Sequence, residues 1–420
     1  MLMSQRAAGN HHNGKGLQER FISVRENTLK ICTNLERDDY MVQSTVDTSP
    51  PKWHLAHTTW FFDRFILRDF LKANHPVDLV YDRIFNSYYH SLGTFLDKSK
   101  RMMLSRPSLE EVLKYRKITE ERILDVMEKH DGELHNLVEI GINHEQQHQE
   151  LLIMDIKENM FNSPYRPSFS TKRPSGGKVS PLTWQNFEGG LVDIGHDGNG
   201  FSFDNELPRH KEYLQPYRIS RRLVTNGEYM EFIRDRGYNR PELWLSEGWD
   251  AVKANGWKMP HYWVENMDGF SFFTPNGMER VRPEEPVCHV SFFEADAFAR
   301  WKGCSLPSEF QWENAMISSS HDDGNFFDDG TYHPAVQQGD ILHGPGGCWE
   351  WTASSYAPYP GYKPLEGAVG EYNGKFMSGK MVLRGASAAT PKDHARLTYR
   401  NFYHPESRWQ YSGFRLAEVL

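Results

Sequence analysis

A chain of 420 residues is too long for one ordinary hydrophobic core, so we expect two or three domains. Its formal net charge of −8 and the lack of a basic stripe argue against nucleic-acid binding. No apolar run approaches the roughly 20 residues that span a bilayer, and the four cysteines are widely spaced without a CxxC pair. We therefore expect a reduced, cytoplasmic protein that binds neither nucleic acid nor membrane.

The first half of the chain has the apolar periodicity of helices. Residues 1–16 lack the apolar core of a secretory signal and are predicted to form a disordered tail. From residue 17 to 161, apolar residues recur at helical spacing, with a long connection at 72–107. The four predicted helices cover about residues 17–35, 52–71, a stretch that starts near Ser108, and 132–160. This pattern predicts a four-helix bundle.

Two of these helix starts carry recognisable signals. Pro50 and Pro51 precede the second helix, and proline is well tolerated in the first turn. Ser108 can cap the third helix, and Glu110 and Glu111 suit the positive end of its dipole. Both starts are therefore predicted with a physical reason.

The composition and the apolar pattern of the sequence change after residue 161. Residues 162–178 are rich in Pro, Ser, Gly and basic residues and are predicted to form an interdomain linker. In residues 179–420, short apolar or aromatic stretches are separated by Gly, Pro and Asn, and a helical pattern survives only at 226–234 and 293–302. We therefore predict an irregular α+β domain with many loops.

The sequence HEQQH, which begins at His144, is the strongest chemical signal in the chain. His144 and His148 lie one helical turn apart, so both imidazoles point the same way and form half of a metal site. The second predicted helix supplies His54 and His57 on nearly one face. A single helical histidine is usually just hydrogen-bonded, but these pairs together favour a metal site. Three neutral imidazoles would leave the open coordination positions that a catalytic metal requires.

The same stretch also satisfies H-E-x-x-H, the signature of zinc peptidases. One peptidase class needs Gly and His further along the helix, where this chain has Leu151 and Met154. Another class needs a downstream helical Glu, where this chain has the predicted linker. Glu145, in the position of the catalytic base, is also turned from the histidine pair by about 100° per residue. The peptidase hypothesis is therefore disfavoured.

Several longer motifs resemble one enzyme family. The first half resembles the DinB-like bundle of the ergothioneine-pathway sulfoxide synthases (hercynine oxygenases) in WHLAHTTWFFDRF, FNSYYH, LSRPSLEEV and HEQQHQELL. The second half resembles the formylglycine-generating-enzyme (sulfatase-modifying factor) domain of the same proteins in FEGGLVDIG, RLVTNGEYMEFI, GGCWEWTASSY, MVLRGASAAT and YRNFYHPESRWQYSGFRLA. The resemblance implies a DinB-like four-helix bundle followed by an irregular, C-type-lectin-like α+β domain.

The resemblance implies a metal and a reaction. A non-haem Fe(II) ion would be held by His57, His144 and His148, with His54 in a supporting role. The family joins the sulfur of cysteine or γ-glutamylcysteine to C2 of the imidazole of hercynine, which is Nα-trimethylhistidine. Dioxygen is the co-substrate, and the product is a sulfoxide. Zinc would satisfy the same ligands, but it cannot pass electrons to dioxygen.

The resemblance also implies a catalytic phenol and cations for the thiol substrate. Tyr88 or Tyr89, in FNSYYH, would provide the phenol that steers turnover towards the sulfoxide instead of thiol dioxygenation. Some relatives supply this group from the C-terminal domain. Arg101 and Arg106 are the candidates for the carboxylates of the thiol, because a bidentate guanidinium suits carboxylate geometry, and Arg106 is the better candidate.

Hercynine carries a trimethylammonium group, a carboxylate and an imidazole, and the sequence offers a partner for each. A quaternary ammonium has no N–H donors, so aromatic faces are its favoured partners. Phe402, Trp409 and Tyr411 lie in the C-terminal motif that faces the iron in relatives. Asn401 and Gln147 are the candidates for hydrogen bonds to the carboxylate or the imidazole.

Other specificities stay open at this point. Selenoneine-type synthases use a selenosugar, and ovothiol-type synthases join cysteine to C5 of histidine but usually carry a fused methyltransferase domain. A zinc-dependent DinB-like thiol S-transferase is a further alternative. Formylglycine-generating activity uses a cysteine pair near the C-terminus, and no cysteine follows Cys348, so that activity is not expected. The sequence does not predict the oligomeric state.

Overall fold

The computed structural model describes residues 14–72, 78–319 and 324–420. The predicted tail falls on residues 1–13, outside the described residues, and on residues 14–16, which are helical. The described chain divides into two compact units. The first holds the residues up to Phe169 with Gly198–Phe201 and Leu365–Tyr372, and the second holds Ser170–Asp197, Ser202–Pro364 and Asn373–Leu420. The predicted linker and domain boundaries stay predictions.

The first unit is a helical bundle, as the apolar periodicity predicted. Its helices are α1 (Gly14–Ile31), α2 (Pro51–Phe61), the short α3 (Tyr81–Ile84), α4 (Leu109–Lys129) and α5 (Glu133–Asn162). The helix α2 continues as a π-helix over Phe62–Phe70, so the predicted second helix changes type within its length. The predicted end of the first helix at residue 35 is wrong, because the chain turns after Ile31.

The two helix starts that carry local sequence signals are confirmed. Pro51 occupies the first position of α2, after Pro50 as the cap residue. The helix α4 begins with a capping box in which the Ser108 hydroxyl accepts from the Glu111 N–H at 3.2 Å. The Glu111 carboxylate accepts in return from the Ser108 N–H at 2.7 Å. Both starts place the helices that follow in register with the bundle core.

The core of the bundle is built from the apolar faces of four helical segments. Its buried members are Leu17, Phe21, Val24, Phe62, Ile66, Leu67, Ile123, Met127, Leu134, Val138 and Ile142. Gly141 lies so close to Phe62 that a Cβ atom there would come within 2.4 Å of the ring. The absence of a side chain at Gly141 therefore lets α5 and the π-helix pack closely.

A loop before α2 is tied to α5 by two side chains. The Asn159 side-chain oxygen accepts from the Ser44 N–H at 2.8 Å and from the Thr48 hydroxyl at 3.2 Å. One turn earlier, the Asp155 carboxylate accepts from the Ser49 N–H at 2.8 Å. All five residues are part of a buried or half-buried contact. These bonds fix where α2 starts relative to α5, and so which of its side chains face α5.

The second unit has the irregular α+β architecture that the sequence predicted. Its strands are β1 (Trp184–Phe187), β2 (Gly190–Ile194), β3 (His210–Leu214), β4 (Tyr217–Ser220), β5 (Trp263–Asn266), β6 (Gly269–Thr274), β7 (Gly277–Arg280), β8 (Trp349–Ser355), β9 (Met381–Gly385), β10 (Asn401–Tyr403), β11 (Ser412–Gly413) and β12 (Ala417–Val419). They form small sheets in the orders β1-β4-β12, β10-β9-β8-β11, β2-β3 and β5-β6-β7. The pairs are antiparallel except β11 with β8.

Four helices accompany these strands: α6 (Asn226–Arg234), α7 (Ser246–Asn255), α8 (Phe292–Trp301) and α9 (Glu309–Met316). The predicted helices at 226–234 and 293–302 are confirmed. The expectation that helices occur only there is wrong. The helix α7 buries only Gly248 and Val252, and α9 spans 8 residues, so neither has enough apolar repeats to be read from sequence. In the described part of the chain, no helix combines the length and apolar character needed to cross a membrane.

Candidate metal centre

Three histidines from two helices of the first unit converge on one point. His57 lies on α2, and His144 and His148 lie one turn apart on α5. One ring nitrogen of each lies within 4.8 Å of the others. The ring centroids are 4.9 Å apart for His57 and His144, and 4.5 Å apart for His57 and His148. The structure therefore brings together the three residues that the sequence put forward as ligands.

Hydrogen bonds show which nitrogen of each ring faces this cluster. Nδ1 of His57 lies 2.5 Å from the Phe85 carbonyl oxygen, so it donates there and leaves Nε2 with a lone pair. That Nε2 lies 3.1 Å from Nε2 of His144. Nδ1 of His148 lies 3.0 Å from Nδ1 of His54, which leaves Nε2 of His148 for the cluster. Lone pairs at such distances repel unless a proton or cation lies between them, so this donor set fits a metal ion.

Burial keeps these rings neutral. It lowers the pKa of His144 to about 3. Burial, and then the charge of neighbouring histidines, hold the pKa of His57 and His148 well below the usual value. A neutral imidazole is the form that binds a metal ion, so no proton has to be removed at neutral pH before binding.

Aromatic rings pack against the histidines. The Trp53 ring stacks on His57 with centroids 4.5 Å apart and an interplanar angle of 10°. The Phe61 ring stacks on His144 at 4.3 Å and 25°. Both aromatic side chains are buried. They hold the planes of the imidazoles and keep water from these sides of the cluster.

The structure gives the two predicted arginines different surroundings. Arg101 is 5% exposed, lies 3.4 Å above the Trp53 ring centroid and donates to the Ser49 hydroxyl at 2.8 Å. Burial lowers the pKa of Arg101 to about 9. Arg106 is exposed and donates to the adjacent Ser105 carbonyl at 3.1 Å. Arg101 thus supports the Trp53 stack on the metal centre, while the Arg106 side chain faces solvent.

The predicted catalytic tyrosines lie in a row of aromatic rings. Tyr89 is fully buried, with its ring 5.2 Å from Phe65 and 6.0 Å from Trp60. Tyr88 is half-buried, with its ring 4.6 Å from that of Tyr89. Burial, and then neighbouring tyrosines, raise the pKa of both phenols well above the usual value. Both therefore carry their proton at neutral pH.

A third tyrosine, which the sequence reasoning did not single out, lies beside a histidine of the cluster. The Tyr372 ring is edge-on to His144 with centroids 5.9 Å apart, and it lies 6.2 Å from the Tyr88 ring. Its neighbour Glu371 accepts hydrogen bonds from the backbone N–H groups of His90 and Ser91, each at 3.0 Å. No local pattern in the sequence pairs Tyr372 with a helix far earlier in the chain. The signal available was that some relatives supply the phenol from their C-terminal domain.

Glu145 is held on the side of α5 away from the cluster. Its carboxylate accepts from Arg25 at 2.9 Å, from Arg116 at 2.5 Å and from the Thr28 hydroxyl at 2.7 Å. Burial alone would raise its pKa, but Arg116 and Arg25 lower the pKa of Glu145 to about 2. A carboxylate engaged in this way is a structural anion, so the geometry also disfavours the peptidase hypothesis.

The remaining predicted substrate residues are spread over both units. Gln147 is half-buried on α5, directly before His148. In the second unit, Phe402 is half-buried and stacks on Tyr356 at 4.1 Å, and Trp409 is half-buried. The Asn401 side-chain oxygen accepts from the N–H of the following residue at 2.8 Å.

Tyr411 differs from its neighbours in that motif, because it is fully buried in the second unit. Its hydroxyl donates to the Tyr332 carbonyl at 2.9 Å, and its ring lies 4.8 Å from His289. These contacts stabilise the fold. The substrate roles of Gln147, Asn401, Phe402, Trp409 and Tyr411 stay predictions.

Two family models match the chain, one in each half. The DinB superfamily matches residues 20–152, and the sulfatase-modifying factor enzyme 1-like domain matches residues 186–343 and 340–420. The first match covers the helices that carry all three histidines, and the second covers most of the α+β unit. The order of the two domains is the one that the sequence motifs predicted.

Two curated relatives match this chain over nearly their whole length, and a third matches about half of it. A hercynine oxygenase of Mycolicibacterium smegmatis is 30% identical over 96% of this chain and 98% of its own length. The hercynine oxygenase of Mycolicibacterium thermoresistibile is 28% identical over 96% and 94%, respectively. That of Mycobacterium tuberculosis is 34% identical over 51% of this chain and 56% of its own. The predicted resemblance is therefore confirmed, and the chain belongs to the hercynine oxygenase family of enzymes.

Proposed function

We propose that this protein is a non-haem Fe(II) enzyme of ergothioneine biosynthesis that forms a sulfoxide. It joins the sulfur of cysteine or γ-glutamylcysteine to C2 of the hercynine imidazole, with dioxygen as co-substrate. The observation that carries the proposal is the buried cluster of three neutral histidines in a chain of the hercynine oxygenase family. Three nitrogen donors without a protein carboxylate or thiolate leave coordination positions for small ligands.

The proposed reaction balances with dioxygen as the sole oxidant. The thiol S–H and the imidazole C2–H bonds break, a C–S bond forms, and the sulfur takes up one oxygen atom. The other oxygen atom leaves as water with the two hydrogens. Fe(II), when bound, supplies the Lewis acid and the electrons that let dioxygen react.

The protein's own contribution to this reaction is to hold groups in place. His57, His144 and His148 would hold the ion, and hydrogen bonds already set the ring directions of His57 and His148. Trp53 and Phe61 keep two of these rings from turning and exclude water beside them. A buried site of this kind needs little reorganisation when the substrates arrive.

We place the proton-donating phenol at Tyr372. Its ring lies edge-on to His144, with centroids 5.9 Å apart. The Tyr88 ring lies 6.2 Å from that of Tyr372 and 4.6 Å from that of Tyr89. In the proposed arrangement Tyr372 holds the proton at its hydroxyl, and Tyr88 and Tyr89 pack near it.

The substitution Tyr372→Phe tests this placement. We expect sulfoxide formation to fall by about 10²–10⁴-fold, the usual contribution of a positioned proton donor. Thiol oxidation to the sulfinic acid should take its place in the product mixture, while the metal content stays unchanged. The matched controls are Tyr88→Phe and Tyr89→Phe. If Tyr372→Phe gives the normal product ratio and a control does not, the phenol belongs to the residue changed in that control.

Substrate recognition is proposed on the accessible candidates. Arg106 is exposed and can present its guanidinium to a carboxylate of the thiol, whereas Arg101 is engaged by Trp53 and Ser49. The half-buried rings of Phe402 and Trp409 are proposed partners of the trimethylammonium group. We expect Arg106→Ala to raise the KM for the thiol with little change in metal binding, measured by steady-state kinetics.

One assay decides the proposed function. Anaerobic protein loaded with Fe(II) is mixed with hercynine and one of cysteine, γ-glutamylcysteine or a selenosugar, and air is then admitted. Mass spectrometry should detect a C–S linked sulfoxide with one of the two thiols. Histidine in place of hercynine tests the ovothiol-type alternative, and the selenosugar tests the selenoneine-type alternative. If no mixture yields a C–S or C–Se linked product, the proposal is wrong.

A zinc-dependent thiol S-transferase is the second candidate, because three histidine nitrogens are also a common zinc donor set. Zinc cannot donate electrons to dioxygen, so the two candidates differ in the metal that supports turnover. Protein loaded with zinc should give no sulfoxide under air. Thiol transfer by the zinc form, without product from the iron form, would favour the second candidate.

A further inference from the structure

We propose that Asp155 and His54 form a hydrogen-bonded relay that fixes the tautomer of His148 and thereby prepares its Nε2 for metal binding. The inference rests on the metal centre of the proposed function, but not on its substrates or its reaction. It assigns positioning roles to an aspartate that no sequence motif marked and to the histidine left over from the H-x-x-H stretch.

The relay is a continuous line of short contacts. Nδ1 of His148 lies 3.0 Å from Nδ1 of His54. Nε2 of His54 lies 2.9 Å from the Oδ2 atom of Asp155. The three side chains are 8%, 2% and 3% exposed, so water does not compete for these bonds. The Ser49 N–H donates to the same Oδ2 atom at 2.8 Å, which holds the carboxylate in place.

The direction of each hydrogen bond follows from the aspartate. The Oδ2 atom of Asp155 already accepts from the Ser49 N–H, so Nε2 of His54 carries the proton and donates to the same oxygen. A neutral His54 then has a bare lone pair at Nδ1, and it can only accept there. The contact with His148 therefore requires a proton on Nδ1 of His148. The remaining nitrogen, Nε2 of His148, is left with a lone pair directed to the cluster.

The contacts of Asp155 fit a hydrogen-bond acceptor that lies beside two cations. Its Oδ2 atom accepts from a backbone N–H directly before α2, where the helix dipole favours a negative charge. Lys98 and Arg101 lie close enough to interact electrostatically with its carboxylate. Burial lowers the pKa of both cations, and the carboxylate of Asp155 partly offsets this by raising it.

The three histidines of the cluster therefore have three different supports. Nδ1 of His57 donates to a neutral backbone carbonyl at Phe85. Nδ1 of His144 is buried without a hydrogen-bond partner among the described residues. Of the three, His148 is the one that described hydrogen bonds link to a carboxylate, through His54. A histidine that donates to such a carboxylate chain is a stronger base at its other nitrogen, so His148 is the ligand with the most electron density to offer.

Substitutions at His54 separate a hydrogen-bonding role from a space-filling one. His54→Leu fills the space but offers no acceptor to His148, so we expect cobalt(II) to bind about 10–100-fold more weakly. His54→Asn keeps an acceptor oxygen near the position of Nδ1 and should recover most of the affinity. Asp155→Asn keeps an acceptor for His54 without the charge, and its affinity should fall between the wild type and His54→Leu.

The matched control is Asn159→Ala. Asn159 ties the same loop to the same helix one turn away, but it does not touch the relay. We expect this variant to melt at a lower temperature than the wild type and to bind cobalt(II) within about twofold of it. Affinity is measured by anaerobic titration followed through the visible absorption of cobalt(II), and each variant is also melted without metal. If His54→Leu binds like the wild type, or His54→Asn binds no better than His54→Leu, the relay is wrong.

A measurement on the wild type keeps the inference testable if a variant does not fold. In metal-free protein with ¹⁵N-labelled histidine, long-range proton–nitrogen NMR correlations report which ring nitrogen carries the proton. We expect the proton of His148 on Nδ1 and that of His54 on Nε2. A proton on Nε2 of His148 would overturn the relay. Failure of the wild type to bind one ion per chain would instead overturn the metal centre of the proposed function.

Discussion

Neighbouring residues of α5 show two opposite ways of burying polar atoms. Glu145 is fully buried, and its charge is met by Arg25, Arg116 and Thr28. His144, the residue before it, is equally buried, but its Nε2 faces another ring nitrogen at 3.1 Å. The Glu145 oxygens have cationic and hydroxyl donors as partners, whereas Nε2 of His144 faces a second ring nitrogen that can hold a proton or a metal ion. That difference distinguishes a structural group from a binding site within one HEQQH stretch.

The largest effect is expected from His144→Ala, which removes one nitrogen of the cluster. Two histidines do not make a tight site, so iron content and turnover should both be lost, while the fold is retained because Glu145 still holds α5. Metal analysis and the hercynine assay provide the measurements. His90→Ala, an exposed histidine of the same unit, is the control. Retention of one iron per chain in His144→Ala would show that the ligand set is wrong.

Glu145→Gln should lower the stability of the fold and leave metal binding intact. Removal of the Glu145 charge leaves Arg116 without this ion pair and Arg25 with only the Glu120 carboxylate at 3.5 Å, so we expect the free energy of unfolding to fall by about 3–5 kcal/mol. Urea denaturation measures this loss. The folded fraction should still bind one metal ion per chain, since Glu145 is no part of the cluster. Loss of metal binding at unchanged stability would contradict the view that Glu145 stabilises the fold while His144 belongs to the metal site.

The pH dependence of stability should separate the two kinds of residue. The pKa of His144 is about 3 in the fold, against 6.5 for an ordinary histidine, so the unfolded chain binds the extra proton between these values. Stability is therefore complete above pH 6.5 and falls as the pH decreases. Between pH 6.5 and 5 the loss for His144 is about 2 kcal/mol.

Glu145 should contribute in a lower window. Its pKa is about 2 in the fold, against 4.5 for an ordinary glutamate, so its stabilising effect is present above pH 4.5 and lost below it. Urea denaturation of the metal-free protein at pH 7, 6 and 5 measures the free energy of unfolding. This pH range covers the loss expected from His144 and lies above the range in which Glu145 contributes. If the free energy of unfolding does not change over this range, the histidines of the cluster bind protons in the folded state as well.

The smallest effect is expected from Thr28→Val, which sharpens the comparison on the structural side. The Thr28 hydroxyl donates to Glu145 at 2.7 Å, and valine has nearly the same shape without the donor. The carboxylate keeps both arginine partners, so the free energy of unfolding should fall by only about 1–2 kcal/mol. Affinity for cobalt(II) should not change. A loss larger than that of Glu145→Gln would mean that Thr28, and not the arginines, holds the anion.

Much of the metal centre could be predicted from sequence because helical spacing is a local property. The i, i+4 spacing of His144 and His148 places both rings on one side of α5 whatever the rest of the fold does. The starts at Pro51 and Ser108 were also local signals, and they are confirmed. The convergence of His57 with this pair needed the bundle architecture, which the apolar periodicity of the first half predicted.

The residues that sequence reasoning did not find depend on contacts between distant segments. Tyr372 reaches His144 from an irregular segment, where no periodicity relates a residue to its partners. Asp155 lies on the predicted helix, but its relation to His54 depends on how the loop before α2 packs. The π-helix at Phe62–Phe70 has the same apolar composition as an α-helix, so its extra width was not predicted.

The hydrogen bonds between Asn159 and the loop that holds Ser44 and Thr48 have a consequence for the replacement of a lost metal ion. They set the position of α2 through protein atoms alone, before any ion arrives. A metal ion that binds the three histidines would therefore enter a site whose helices are already held together. If that ion is lost, the same finished protein can take up another one.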